Sequence, residues 1–392
     1  MHASNPIFLP GPTNLPEPLR RACDIPTMDH RSAAFGPILA AAKDGVARIL
    51  GLSGGEVALF PATGTGGWEA AVTNALRPGD KVLAARHGMF SRKWIDLCQR
   101  HGLEVEIVER PWGEGVPVEE FAAALAADGG HQIRAVLVTH NETATGVTSD
   151  VAAVRAAMDA TGHPALLMVD GVSSIGSIEF RMDDWGVDLA VAGSQKGFML
   201  PAGLAIIGIS AKARQAMETA GLPRCFFDIR DMADGNYPYT PPVGLINGLA
   251  VSTGLLLEEG MENVRARHHR IAEGVRRAVA AWDMTTCAAA PELCSDTVTA
   301  IVTPEGFDAG RIVRHAAEAY GVAFGGGLGE VAGKVFRIGH LGLMSDVMAL
   351  SGIATAEMAM VDLGLPVRLG SGVAAAQEHY RNSRTAPVQA AA

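Results

Sequence analysis

From residue 33 to about residue 210 the chain alternates short apolar runs with longer segments. The runs EVALFP, KVLAA, EVEIVE, RAVLVTH, ALLMVD, DLAVAGS and LAIIGI have strand length. Between most of them lie helix-length segments such as GGWEAAVTNALRPG, FSRKWIDLCQRHG and DVAAVRAAMDATG. Strand and helix in alternation predict a mostly parallel sheet with helices on both faces. The helices ending at Leu76 and His101 are each expected to close on a nearby glycine.

After residue 223 the pattern changes. LPRCFFDIRDMADGNYPYTPPVG is a long aromatic and proline-rich connection, a kind of segment that is more often functional than idle. Helical spacing resumes through VGLINGLAVSTGLLLEEG and MENVRARHHRIAEGVRRAVAAW. The last part alternates through TVTAIVTP, AGRIVRHAAEAYG, KVFRIGH and SDVMALSGIATAEMAMVDLG, enough for a small α+β unit. Near the start, NPIFLPGPTNLPEPL holds five prolines, which disfavour a regular helix or a central strand. The expected organisation is an extended arm over 1–25, a large domain over 26–265, and a small C-terminal domain over 266–392. The alanine-rich tail after Gln377 is expected to fray, GGGLG at 325–329 to form a flexible turn, and no internal repeat is visible.

At 392 residues, 48% hydrophobic and 19% charged, the composition is that of a packed soluble protein. The net charge of −10 argues against nucleic acid or an anionic membrane as partner. No segment has signal-peptide order, and runs such as ALLMV and GLAIIGI are too short to span a bilayer, so the expected location is cytoplasmic. The five cysteines are scattered with no CxxC pair, which favours reduced thiols over a disulfide framework. There is no HExxH among the 12 histidines, RHHR at 267–270 reads as a solvated face, and no metal site is expected.

In open parallel sheets, ligands bind outside the carboxyl ends of the strands. There the chain places Thr65, Gly66, Gly67, Asn141, Thr143, Asp170, Gln195 and Lys196. The glycines at 63–67 precede a helix and read either as a phosphate site or as a tight turn. They are neither a dinucleotide fingerprint, which needs glycine where Glu69 stands, nor a Walker loop. GVSSIG is no nucleophile elbow, since Ile175 stands where GxSxG needs glycine. Asp170 ends a fully apolar strand, either capping the next turn or facing a ligand. Lys196 lies between two apolar runs in LAVAGSQKGFMLPAG. It is either a snorkelling lysine or a desolvated amine able to form a Schiff base. Lysine, carboxylate and phosphate turn together suit pyridoxal phosphate, which needs a partner for its aldehyde, its ring nitrogen and its phosphate.

DGVSSIGSIEFRMDDWGVDLAVAGSQKG resembles the cofactor segment of class V, fold-type I pyridoxal-phosphate aminotransferases. The likeness to the serine–, alanine– and aspartate–glyoxylate group runs from FLPGPTNLP through MDHRS, TGTGGWEAA, THNETATGV, YPYTPPVGL and GKVFRIGHLG to LGSGVAAAQEHY. It implies a large domain with a mostly parallel seven-stranded sheet between helices and a smaller C-terminal α+β domain. By matching positions it implies that Lys196 condenses with the cofactor aldehyde and then moves a proton between cofactor and substrate α-carbon. Asp170 would keep the ring nitrogen protonated, Phe90 would stack on the ring, and Val172 would press on its other face. Phenylalanine lacks an indole N–H, so any hydrogen bond made by a tryptophan at that position in relatives is absent. Thr65, Gly66, Gly67 and Gln195 would take the phosphate, and Thr143 would lie near the ring hydroxyl. Tyr237 and Thr240 would reach the phosphate of the neighbouring subunit, which implies a homodimer. Arg337 would clamp the substrate carboxylate, while His30 and Arg31 could meet a second one.

The implied reaction moves the amino group of a small L-amino acid to glyoxylate by ping-pong kinetics, with serine favoured as donor. The alternatives are aspartate, then alanine, and more remotely a pyridoxal-phosphate lyase of the same fold. A desulfurase-like lyase needs a cysteine on a loop in the C-terminal third, and AFGGGLGEVAGKVF has none. A non-catalytic protein that kept the fold is the rival from another class.

Overall fold

Each of the seven apolar runs forms a strand of one sheet in the computed structural model, which describes residues 6–235 and 237–383. Before them come β1 (Ile7–Phe8), α1 (Glu17–Cys23) and α2 (Phe35–Leu50). Then follow β2 (Glu56–Phe60), α3 (Gly64–Ala75), β3 (Lys81–Arg86), α4 (Met89–Arg100), β4 (Glu104–Glu109), α5 (Val118–Ala127) and β5 (Ile133–Thr139). A small ribbon of β6 (Asn141–Glu142) and β7 (Val147–Thr148) leads through α6 (Val151–Ala160) to β8 (Leu166–Asp170), β9 (Leu189–Gly193) and β10 (Ala205–Ile209).

The strand order is β2-β10-β9-β8-β5-β3-β4. Only β10 runs antiparallel to its neighbours, so β9 and β10 are joined directly, without a crossover helix. Both faces of the sheet are covered, and alternate residues feed two separate cores. Val136, Val138, Leu167 and Val169 enter one, while Ala135, Leu137, Leu166 and Met168 enter the other. That explains why the interior runs are continuously apolar, whereas β4, at the sheet edge, alternates with Glu104 and Glu106 and is only partly covered.

The rest of the chain is α7 (Ala211–Met217), α8 (Val243–Glu259), α9 (Met261–Ala281), β11 (Thr285–Thr286), β12 (Val298–Val302), α10 (Gly310–Tyr320), β13 (Ala323–Gly326), β14 (Val335–Gly339), α11 (Asp346–Asp362) and α12 (Ser371–Asn382). A second sheet has the order β1-β13-β14-β12-β11, so the N-terminal strand closes a sheet built from C-terminal residues.

Several expectations are corrected here. The N-terminal arm is not wholly extended. Pro16 and Pro18 sit at the start of α1, where a missing N–H leaves no bond unmade. The chain turns at Gly260 (φ +83°), between α8 and α9, so a boundary at 265/266 falls inside a continuous helix. GGGLG is not simply a turn, because Gly325 and Gly326 belong to β13 and pair with Arg337 and Phe336. A Cβ on Gly325 would lie 3.2 Å from the Arg337 side chain, so the small residue makes room for that arginine. α4 closes on Gly102 (φ +74°), whereas α3 stops without a glycine, at an extended Leu76 two residues before Pro78.

RHHR is not a solvated face. His268 is buried, bonded to Val264 O and accepting from Gly342 N–H, while Arg267 and Arg270 pair with Glu259 and Asp346. Helix α12 holds to Asn382, because the buried Tyr380 packs on Gly274 and donates to Ile271 O (2.9 Å). The end of the tail, from residue 384, lies outside the described residues. All five cysteines are free thiols. Among the described residues no helix is long and apolar enough to cross a membrane, and no cluster of metal-ligating side chains occurs.

Candidate active site

A cavity of about 240 Å³ opens at the carboxyl ends of β2, β8 and β9, lined among others by Thr65, Phe90, Thr143, Asp170, Val172, Gln195 and Lys196. The fold brings these seven together because parallel strands end on the same edge and their connections meet there.

Lys196 lies in the turn that follows β9, at the carboxyl end of the strand and therefore at the cavity. Its Nζ donates to Pro10 O, so the N-terminal arm closes over the lysine. Gly11 (φ +94°) is required at that crossing, because a Cβ there would stand 2.3 Å from the lysine Cδ. Burial pushes the Lys196 pKa down to about 8, the Arg337 charge pushes the same way, and Asp170 opposes them.

Asp170 closes β8, and Val172 N–H donates to its Oδ1 (3.0 Å). Burial raises the Asp170 pKa to about 7, against the pull of that N–H and of the Trp68 indole. The indole N–H leans toward the carboxyl without reaching hydrogen-bond geometry, and Nε1 is a buried donor with no partner. Trp68 was not among the expected site residues. It stacks on Trp94 (5.8 Å between rings) and brings an aromatic wall to the cavity.

The glycines of α3 divide their work. No side chain caps the helix, so the N–H groups of Gly64, Thr65 and Gly66 remain uncapped at its positive end. Gly67 N–H is not available there, since it donates to Thr63 O (3.0 Å) and closes the first turn. A Cβ on Gly67 would lie 2.5 Å from Val191 Cγ1, so this glycine lets the helix approach the sheet. Expected as a phosphate ligand, Gly67 is instead a packing residue. Gly66 does not line the cavity with its own atoms and lies against Ala62 and Phe227.

Thr143 donates to Ser173 Oγ (2.8 Å), and Ser173 donates to Asn141 O (3.0 Å). The Asn141 side chain uses its full hydrogen-bonding capacity, on Ser173, Thr297, Thr148 and Ser295. The network ties the cavity wall to the second sheet.

Arg337 stands behind this wall rather than lining it. Its Nε donates to Gly326 O and its Nη1 to Thr143 O (both 2.9 Å). Burial lowers its pKa to about 10, and the Glu142 charge pulls the other way. His30 and Arg31 lie outside the cavity, Arg31 being exposed and His30 half-buried. Tyr237 donates to Leu59 O (2.9 Å) and Thr240 is exposed, so neither reaches the cavity of its own chain.

The residues present fit pyridoxal phosphate. An uncapped helix N-terminus suits its phosphate, a buried carboxyl suits its ring nitrogen, and a desolvated lysine suits its aldehyde. The partnerless Gln195 Oε1 and Trp68 Nε1 at the cavity mark polar groups that a ligand would engage. Fold and site are thus those of the fold-type I pyridoxal-phosphate enzymes. The Aminotransferase class-V family profile matches residues 22–335, and the chain belongs to that family.

The chain is 68% identical over 100% of both sequences to "L-aspartate--glyoxylate aminotransferase" of Paracoccus denitrificans. It is 51% identical to "Serine--glyoxylate aminotransferase" of Hyphomicrobium methylovorum, covering 97% of this chain and 95% of that one. Among solved structures, pyridoxamine-pyruvate aminotransferase of Mesorhizobium loti superposes with a TM-score of 0.91 at 30% identity, covering 98% and 99%.

When bound, pyridoxal phosphate supplies an electron sink for the electrons released at an amino acid's α-carbon. The chain's residues do the rest. The α3 N-terminus and Gln195 would hold the phosphate, Asp170 would hold a proton on the ring nitrogen, and Phe90 and Val172 would flank the ring. The Lys196 amine, with its pKa close to neutrality, can take a proton and return it.

Proposed function

We propose that this aminotransferase moves the amino group of a small L-amino acid to glyoxylate, giving glycine and a 2-oxo acid. The observation that carries the reading is the half-buried Lys196 and the buried Asp170 lining one cavity of about 240 Å³, a space suited to small substrates. The acceptor is supported by the relatives above, both named for glyoxylate. Each half-reaction ends with a 2-oxo acid or glycine leaving before the next substrate binds, so the kinetics are ping-pong. Arg337 receives the substrate carboxylate through Nη2, the guanidinium nitrogen not engaged by a backbone carbonyl. The protein acts in the cytoplasm as a homodimer of subunits with a large cofactor-binding and a small C-terminal domain. In that dimer Tyr237 and Thr240 serve the partner's phosphate, a role supported by their standing outside the cavity of their own chain.

Two donors draw on different observations. Aspartate is favoured by the 68% identical relative. Serine is favoured by the cavity lining, which holds no arginine or histidine to meet a second carboxylate, Arg337 standing behind the wall at Thr143 and His30 and Arg31 lying outside. Initial rates of glycine formation from glyoxylate with L-serine, L-aspartate and L-alanine test the proposal. Parallel double-reciprocal lines with one of them are expected, and no glycine from any of the three would defeat it.

A further inference from the structure

Glu142 is a fully buried acid with no part in the chemistry above. It precedes Thr143 and faces the N-terminus of α4. Its Oε2 accepts from the N–H groups of Phe90 and Ser91 (both 3.0 Å). Its Oε1 accepts from those of Phe90 (3.2 Å) and Ala144 (3.1 Å). Helix α4 has Gly88 at its N-cap and no side-chain cap of its own. A carboxylate from another element fills the place that a capping serine or aspartate usually takes, with negative charge at the positive end of the helix. Gly88 permits this approach, since a Cβ there would lie 2.2 Å from Glu142 Cγ and Cδ. Ser91 reinforces the turn by donating to Gly88 O (3.1 Å).

Phe90 is the second residue of α4, and its side chain lines the cavity. Its direction is therefore set by a backbone that Glu142 grips. The Glu142 charge also raises the pKa of Arg337, which donates to the neighbouring Thr143 O.

We propose that Glu142 is a positioning residue that holds the aromatic ring of Phe90 against the cofactor through the N–H groups of Phe90 and Ser91. This rests on the reading that the cavity binds pyridoxal phosphate with Phe90 on its ring. The test uses equilibrium dialysis of pyridoxal phosphate and the visible circular dichroism band of the bound cofactor. These are measured for the wild type, Phe90→Leu, Glu142→Gln and the double variant. The amide replaces an acceptor with a donor facing two N–H groups and removes the charge. Retention is expected to weaken about tenfold, with a diminished dichroic band. In the Phe90→Leu background the same change is expected to alter retention less than about twofold, because the effect passes through Phe90. A tenfold loss in both backgrounds overturns the proposal, as does unchanged retention and dichroism in Glu142→Gln. Should Glu142→Gln fail to fold, Gly88→Ala, which drives a methyl group into the carboxylate, carries the same expectations. A wild type that retains no pyridoxal phosphate, or Phe90→Leu without effect on retention, overturns the underlying reading of the cavity and the proposal with it.

Discussion

Replacing Asp170 with asparagine separates what this carboxyl does for catalysis from what it does to the fold. Asp170 is 4% exposed, and burial lifts its pKa from 3.8 to about 7. In the cofactor-free protein the native state therefore keeps a proton that the unfolded chain has already lost between about pH 4 and pH 7. The native state binds more protons in that window, so stability falls as pH rises through it, and the deficit is complete above about pH 7. The shift corresponds to roughly 4 kcal/mol, or about 5 °C in melting temperature for a chain of 392 residues. Asparagine has nearly the same shape and no charge to desolvate. The cofactor-free Asp170→Asn protein should melt about 5 °C above wild type at pH 8, the gap narrowing to about 2 °C at pH 5. Scanning calorimetry of both proteins across this range is the assay. Pyridoxal phosphate should reverse the order, because an ionised Asp170 then has the ring nitrogen as partner while asparagine gains much less. A gap independent of pH, or a variant that melts below wild type at pH 8 without cofactor, would refute the reasoning.

Gly67→Ala places a Cβ 2.5 Å from Val191 Cγ1 and 3.4 Å from Ala205 Cβ. It should cost about 1–3 kcal/mol of stability by overpacking, read as a lower urea midpoint. Arg337→Lys keeps the charge but loses the planar fork that reaches Gly326 O and Thr143 O. KM for the amino donor should rise at least about tenfold with a smaller change in kcat, and an unchanged KM would remove Arg337 from substrate binding.

The seven strands and the edge on which the site lies were legible because they follow from local pattern. Runs such as RAVLVTH and ALLMVD have the length and apolarity of strands covered on both faces, their alternation with helices makes most of them parallel, and parallel strands gather their carboxyl ends. Asp170 and Lys196 stood out for the same reason, as charges at the ends of apolar runs. GGWEAA, by contrast, did not reveal that Gly67 packs on Val191 while Trp68 turns its indole toward Asp170. Both depend on how α3 sits on β9, which periodicity does not encode. RHHR looked solvated because its letters are polar, yet His268 is buried where Gly342 N–H meets it.

By itself, then, the amino-acid order determined the layers, the sheet edge at which the cavity opens, and the lysine and carboxylate that line it. Tertiary structure alone decided what surrounds them. Pro10 reaches Lys196 across 186 positions, Arg337 reaches Thr143 across 194, and Glu142 caps a helix that begins more than fifty residues before it. Hydrophobic spacing is a short-range signal written in neighbouring residues. Hydrogen bonds between buried polar groups form wherever packing brings donor and acceptor together, and no local pattern announces them.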